Sequence, residues 1–361
     1  MSEAPSLYIA AFDLAPEHDY PRMGGKCTSL SRMIKAGVRV PPGFAVTTDA
    51  YARHLQVHHL GARIDDIAAS IDVAQIEDEA QKAALIRAAI TQSPVPADVE
   101  TAIRAAYRAM SPQDDLPVAV RSSATSEDMP DASFAGQQDT YLWVVGADEV
   151  VSKVRECWGS LFNARAISYR TKNKIGLTDV LMSVGVQKMV DASAAGVAMT
   201  LDPITGDRTK IVIDAAFGLG EPVVSGDITP DNFVVEKVMM TIGRRRIADK
   251  DFELIADRAA RRTRSQAIEP ERRGKPSLSD AQIIAVAKLA KQLERSMGGP
   301  QDVEWAVDRD LPAEDAVVAL QSRPETVWSR KPKAQSSQSF STGTAGVLGA
   351  LLSPLASKTP S

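Results

Sequence analysis

The stretch from Ser279 to Arg323 constrains the fold most, because its start, its stop and its periods can all be read from the residues. Ser279 with Gln282 three residues on is a capping-box pattern, which starts a helix from about Ala281 to Met297. Gly298 and Gly299 stop it. Two strands follow, Val303 to Val307 and Ala316 to Gln321. Alternation puts Asp302 and Glu304 on one face of the first, and Val303, Trp305 and Val307 on the other. Gln321 and Arg323 likewise share a face. If the strands pair as a hairpin, two carboxylates, an amide and a guanidinium converge. Oxygen ligands without His or Cys suit magnesium, which takes one or two carboxylates plus substrate phosphates. The same pattern also fits an ordinary salt-bridged edge hairpin.

Upstream, the segment from Met23 to Tyr51 opens on a Gly pair and carries a short helical pattern at Leu30, Met33 and Ile34. A turn at Pro41-Pro42-Gly43 then leads into a strand from Phe44 to Thr47. Tyr51 to Met110 is Ala-rich with helical spacing, broken near Pro94 and Pro96, and reads as two or three helices. Val118 to Arg121 and Thr140 to Val145 read as strands, and Asp148 to Tyr169 as a helix. The apolar runs Val184 to Val190 and Gly196 to Leu201, joined by small residues, suggest a hairpin. Lys210 to Ala215 and Phe233 to Val238 continue the strands.

The familiar nucleotide motifs fail. Gly25-Lys26 resembles the end of a P-loop, but Cys27 stands where Ser or Thr would hold magnesium, and Tyr20 stands at the first Gly. Gly218-Leu219-Gly220 lacks the third Gly of a dinucleotide fingerprint, and Pro222 with Val223-Val224 opposes a following helix. The segment from Arg121 to Thr140 is more promising. Small residues let backbone N–H groups approach phosphate, Gly136 permits a tight turn, and Arg121 at the loop's base supplies fixed charge. A solvated Ser/Gly loop has the same composition.

Composition narrows the classes. A net charge of −4 over 361 residues lacks the basic field of a nucleic-acid binder. Arg244-Arg245-Arg246 and Arg261-Arg262 lie among acidic residues and read as solvated surface. No apolar run approaches a membrane span, and residues 1 to 12 carry no signal-peptide pattern. Two cysteines make no disulfide framework, so the expected setting is a reducing cytoplasm. Beyond Trp328 the Lys-, Ser-, Gly- and Ala-rich sequence predicts a flexible tail over 329–361.

Taken in order, the segments resemble one known family. These are Gly24-Gly25-Lys26, Val40-Pro41-Pro42-Gly43-Phe44, Val118 to Asp128, Phe134-Ala135-Gly136-Gln137-Gln138-Asp139-Thr140 and Val186-Gln187-Lys188-Met189-Val190. Asp202-Pro203-Ile204-Thr205-Gly206, Phe217 to Glu221, Gly299 to Ala306 and Gln321-Ser322-Arg323-Pro324 complete the set. Together they resemble the ATP-binding domain shared by phosphoenolpyruvate synthase, pyruvate phosphate dikinase and rifampicin phosphotransferase. The resemblance implies an α+β, ATP-grasp-like fold of two or more lobes with mixed or antiparallel sheets over residues 1–328. Residues 1–115 would form a helical part and 116–328 the remaining lobes.

By that resemblance Lys26 and Arg121 hold ATP phosphates, Gly136 and Thr140 belong to the loop covering them, and Gln187 borders the adenine. Glu304 and Gln321 hold Mg2+ with Asp302 nearby, and Arg323 clamps the transferring phosphates. Family members pass a phosphoryl group to a His in a Thr-Ser-His-type motif. The four histidines here, His18, His54, His58 and His59, lack that context. The chain therefore resembles the separate ATP-binding subunit of phenylphosphate and related aryl phosphate synthases. That implies a His-bearing partner subunit, which would also bind most of a phenol or cresol acceptor. A split phosphoenolpyruvate synthase, an antibiotic phosphotransferase component, a non-catalytic nucleotide sensor and a self-sufficient ATP-grasp ligase are the alternatives.

Overall fold

A computed structural model describes residues 7–71, 75–124, 139–172 and 176–328. The chain divides into two units, Met1–Glu325 and Thr326–Ser361, and the first holds every element below. The expected tail over 329–361 lies outside the described residues, as do 125–138, which include Gly136.

The first part of the chain runs β1 (Ile9–Ala11), α1 (Tyr20–Lys35), β2 (Gly43–Val46), α2 (Thr48–Val57), α3 (Leu60–Ala69), α4 (Ile76–Gln92) and α5 (Ala97–Met110). Next come β3 (Val118–Ala124), β4 (Thr140–Val144), α6 (Ala147–Ser160), α7 (Ala164–Lys172) and β5 (Met182–Lys188). Then β6 (Ala192–Met199), β7 (Lys210–Phe217), α8 (Glu221–Ser225), β8 (Asp231–Glu236) and β9 (Thr241–Arg246) follow. The described chain closes with β10 (Phe252–Asp257), β11 (Arg262–Ala267), α9 (Pro270–Arg273), α10 (Asp280–Met297), β12 (Gln301–Asp308) and β13 (Val317–Pro324). The result is an α+β fold.

Five strands form one sheet in the order β1-β2-β5-β3-β4, and six form another in the order β13-β12-β6-β7-β8-β9. Neighbours in both sheets pair antiparallel. Helices α2 to α7 cover one face of the first sheet. On α5 the apolar positions Val99, Ile103 and Tyr107 recur every fourth residue and pack with Val120, Val184 and Trp158 in one buried cluster. On α10 the buried stripe Ile283, Val286, Ala287, Ala290 and Leu293 meets Ile211, Phe233, Val303 and Trp305 of the second sheet. Helix α1 lies against both sheets: Met23, Cys27, Leu30 and Met33 share a cluster with Ala45 of β2 and with Trp305 and Ala319 of β12 and β13.

The capping box at Ser279 and Gln282 is present, and Gly298 ends α10 with φ +77. Strands β12 and β13 do pair as an antiparallel hairpin. Other expectations are corrected. The runs around β5 and β6 are not a hairpin. β5 pairs with β2 and β3, whereas β6 pairs with β7 and β12. The chain instead crosses between the sheets through buried Met189 and Val190, because each strand is apolar on both faces and needs its own two neighbours. Four helices, not two or three, occupy 48–110, and the helix expected from Asp148 to Tyr169 is broken at 161–163 into α6 and α7. A short helix does follow Gly220, with Pro222 in its first turn, where a missing N–H costs nothing. The sequence pattern predicts none of β1, β9, β10 and β11.

Candidate functional site

The site is assembled on Gly24. There α1 leaves helical geometry, with φ +70 and ψ 169, and a Cβ would lie 2.1 Å from the Ser123 carbonyl oxygen. Only glycine lets the helix seat on the end of β3 this closely. The Ser123 hydroxyl donates to the Met23 carbonyl at 3.2 Å and accepts from the Cys27 N–H at 3.4 Å. Lys26, two residues past the kink, donates from Nζ to the Ser122 carbonyl at 2.9 Å. Its ammonium is thereby held against β3, the strand that carries Arg121. Cys27, in the failed P-loop position, is buried and packs toward Gly185 of β5.

Arg121 pairs in register with Thr140 of β4. Its Nε is buried and has no hydrogen-bond partner among the described residues, an expensive state for a cation unless an acceptor joins it. The start of β4 is fixed by Asp139, which accepts from Tyr141 at 3.0 Å and from Arg87 of α4. The Asp139 carbonyl accepts from the Ser122 N–H at 3.4 Å. Thr140 is exposed and lines a cleft of about 540 Å³ with Trp143, Lys153, Glu221, Arg261 and Thr263. Arg261, read from sequence as plain surface, therefore faces this opening from the β10–β11 hairpin.

The second group sits on β12 and β13. Glu304 is opposite Gln321 and Asp302 opposite Arg323, with a bulge between Glu304 and Trp305. Val303 and Trp305 are fully buried on the other face, as the alternation predicts. The Gln321 amide, oriented to satisfy both groups, turns its oxygen to the Arg323 guanidinium. Burial, and next Glu325, push the Asp302 carboxyl up to about 6, against the pull of Arg323. A bound cation would relieve that penalty. Among the described residues no group of three His, Cys, Asp or Glu side chains is placed to hold a metal. The donor set thus fits Mg2+ only in the form where substrate phosphates supply most ligands.

Helix α1 joins the two groups. Ser29, one turn beyond Lys26, donates from its hydroxyl to the carbonyl of Ser322, between Gln321 and Arg323, at 2.9 Å. Gln187 is placed differently. It is buried, and its amide donates to the Pro41 carbonyl at 3.2 Å, holding the turn before β2. The sequence assigns no role to Gly24, Ser29, Ser123 or Asp139, although three of them stand in its motifs, because their contacts are made to partners distant in the chain. Nor does it assign one to Trp143, which has φ +61 beside the irregular β3–β4 pairing and packs with Met189, Leu219 and Val318 between the sheets.

Two sheets bridged by a lysine-bearing helix, with carboxylates on the closing hairpin, define an ATP-grasp-like nucleotide-binding domain. Residues 20–344 match the family model described as pyruvate phosphate dikinase, AMP/ATP-binding domain, and the chain belongs to that family. It is 41% identical to a probable phosphoenolpyruvate synthase of Staphylothermus marinus, over 92% of this chain and 43% of that protein. The phosphoenolpyruvate synthase of Aeropyrum pernix is 41% identical over 86% of this chain and 41% of its own length. That of Pseudomonas aeruginosa is 40% identical over 90% and 42%. The chain thus spans less than half the length of these relatives. No helix among the described residues is long and apolar enough to cross a membrane.

Proposed function

We propose that this chain is the ATP-binding component of a dikinase-type phosphotransferase that works with a His-bearing partner subunit. One observation carries the reading: α1 ties Lys26 to the end of β3 and Ser29 to the end of β13, so one helix links the strand that carries Arg121 to the hairpin that carries the carboxylates. Lys26 and Arg121 would neutralise the phosphates, with Thr140 and the segment around Gly136 over them. Asp302, Glu304 and Gln321 would hold Mg2+, which supplies charge stabilisation at the transferring phosphates. Arg323 would clamp them. Gln187 supports the adenine side through the Pro41 turn, a positioning role.

In the reaction a partner histidine nitrogen attacks the β-phosphorus of ATP, the bond to the α-phosphate oxygen breaks, and AMP leaves. Water then takes the terminal phosphoryl group as phosphate, and the remaining phospho-His passes its group to an acceptor hydroxyl. No protein nucleophile is needed in this chain, whose part is positioning and charge neutralisation. His54 is buried with Nε2 at the Ile90 carbonyl, and His58 faces the Pro94 carbonyl, which supports placing the accepting histidine elsewhere. The acceptor is a phenol or cresol, by likeness to aryl phosphate synthases. Pyruvate is the second reading, favoured by the names of the relatives. Titration calorimetry with Mg-ATP tests the site: Glu304→Ala and Arg121→Ala should each weaken binding about tenfold or more with the melting temperature unchanged. Unchanged affinity in both would remove the hairpin and the β3 end from the site. Phenol, p-cresol and pyruvate offered in turn to the assembled system would identify the acceptor.

A further inference from the structure

Strand β13 is the edge of the second sheet, so its outer row of backbone groups needs partners from elsewhere. Helix α1 and the segment after it provide them. The Ser29 hydroxyl donates to the Ser322 carbonyl at 2.9 Å, and the Ala319 N–H donates to the Arg39 carbonyl at 2.9 Å. Arg39 also pairs with Asp315, just before β13, at 2.8 Å. The edge of the β12–β13 hairpin is thus docked on the same stretch of chain that carries Lys26.

Ser322 is held from the other side as well. Its register partner is Val303, so its side chain shares a face with Val303 and Gln301, while Gln321 and Arg323 take the opposite face. The Ser322 hydroxyl donates to the Gln301 side-chain oxygen at 2.9 Å. The Gln301 amide in turn donates to the Gly299 and Pro300 carbonyls at 3.2 and 3.1 Å. The Gln301 N–H donates to the Thr200 hydroxyl at 2.7 Å, and the Thr200 N–H donates to the Gln301 carbonyl at 2.9 Å. Ser322, Gln301 and Thr200 are all buried. Such a network holds one arrangement, because displacing a member leaves a polar group unpaired away from water. Ser29 fastens it to α1, three residues beyond Lys26 and on the same side of the helix.

We propose that Ser29 is a positioning residue that fixes the Gln321–Arg323 strand end relative to Lys26 and thereby couples Mg2+ binding to ATP binding. The inference rests on the functional reading above, in which Lys26 meets the phosphates and Glu304 and Gln321 meet the cation. Ser29 acts through the Ser322 main chain, which carries Gln321 and Arg323 on either side. A phosphate at Lys26 and a cation at the hairpin strengthen each other only while the spacing between the two groups is held.

Calorimetry of the full chain with ATP, once in EDTA and once in Mg2+, gives the factor by which the cation raises nucleotide affinity. In the wild type that factor should be about tenfold or more. Ser29→Ala should reduce it about fivefold, the size of one lost neutral hydrogen bond, with the affinity in EDTA and the melting temperature unchanged. Ser29→Thr, which keeps the hydroxyl, should retain the wild-type factor. A purely structural role would lower both affinities together. An unchanged factor in Ser29→Ala, equal losses with and without the cation, or the same loss in Ser29→Thr would each overturn the inference alone. A wild-type chain that binds no ATP, or binds it equally in EDTA and in Mg2+, would sink the functional reading and the inference with it.

Discussion

At position 24 a side chain has nowhere to go: φ is +70 and its first carbon would overlap the Ser123 carbonyl. Gly24→Ala should therefore cost about 1–3 kcal/mol in backbone strain alone and pull Lys26 from Ser122. Calorimetry should show Mg-ATP affinity falling along with the melting temperature. His54 makes a prediction about pH. Burial lowers its pKa from 6.5 to about 4, and its ring stacks 5.0 Å from Trp158. The unfolded chain takes up this proton first as pH falls, so the stability His54 contributes is present above pH 6.5 and lost toward pH 4. The loss is at most about 3 kcal/mol. Thermal melts from pH 7 to 4 should show this limb in the wild type and a flatter one in His54→Leu. At this scale sequence pointed to Lys26, Arg121, Glu304 and Gln321 because charge and alternation are visible in residue types. It could not show the kink at Gly24, the tie made by Ser29 or the buried placement of Gln187, which depend on dihedrals and on neighbours more than 90 residues away.

Elements were legible where pattern and cap agree. The Ser279 box, α10 and the β12–β13 pairing follow from local rules, and Ser279→Ala should cost about 1 kcal/mol in a denaturant melt. The β5–β6 crossing was not legible, since two apolar runs joined by small residues look alike whether they pair together or each joins a different sheet. Strands β9 and β11, with segments TIGRRR and RTRSQA, are largely exposed and lack the apolar alternation that marks a strand. The β10–β11 hairpin is held by tertiary ties instead. Lys250 and Asp231 form an ion pair with both side chains fully buried. Arg272 makes two bonds to Glu253, at 2.6 and 3.0 Å, and Leu219 N–H donates to the Leu254 carbonyl at 2.8 Å. Lys250→Ala strands a buried carboxylate and should destabilise by about 3–5 kcal/mol. Arg245→Ala, which breaks the exposed pair with Asp280, should leave the melt unchanged.

Across the whole molecule the two sheets meet at α1 and at the Met189–Asp191 crossing, which Arg258 and Arg309 tie down through Asp191 at 3.0 and 3.1 Å. The groups proposed to bind the nucleotide lie on both sides of that junction, so on that reading binding and lobe geometry are coupled. On the proposed function this chain charges a partner and does not spend ATP by itself. Separating the nucleotides after incubation with Mg-ATP, with and without the His-bearing partner, tests it most directly. AMP and phosphate should appear only when the partner is present, and Glu304→Ala should abolish them. Strong ADP formation by the chain alone would contradict the claim.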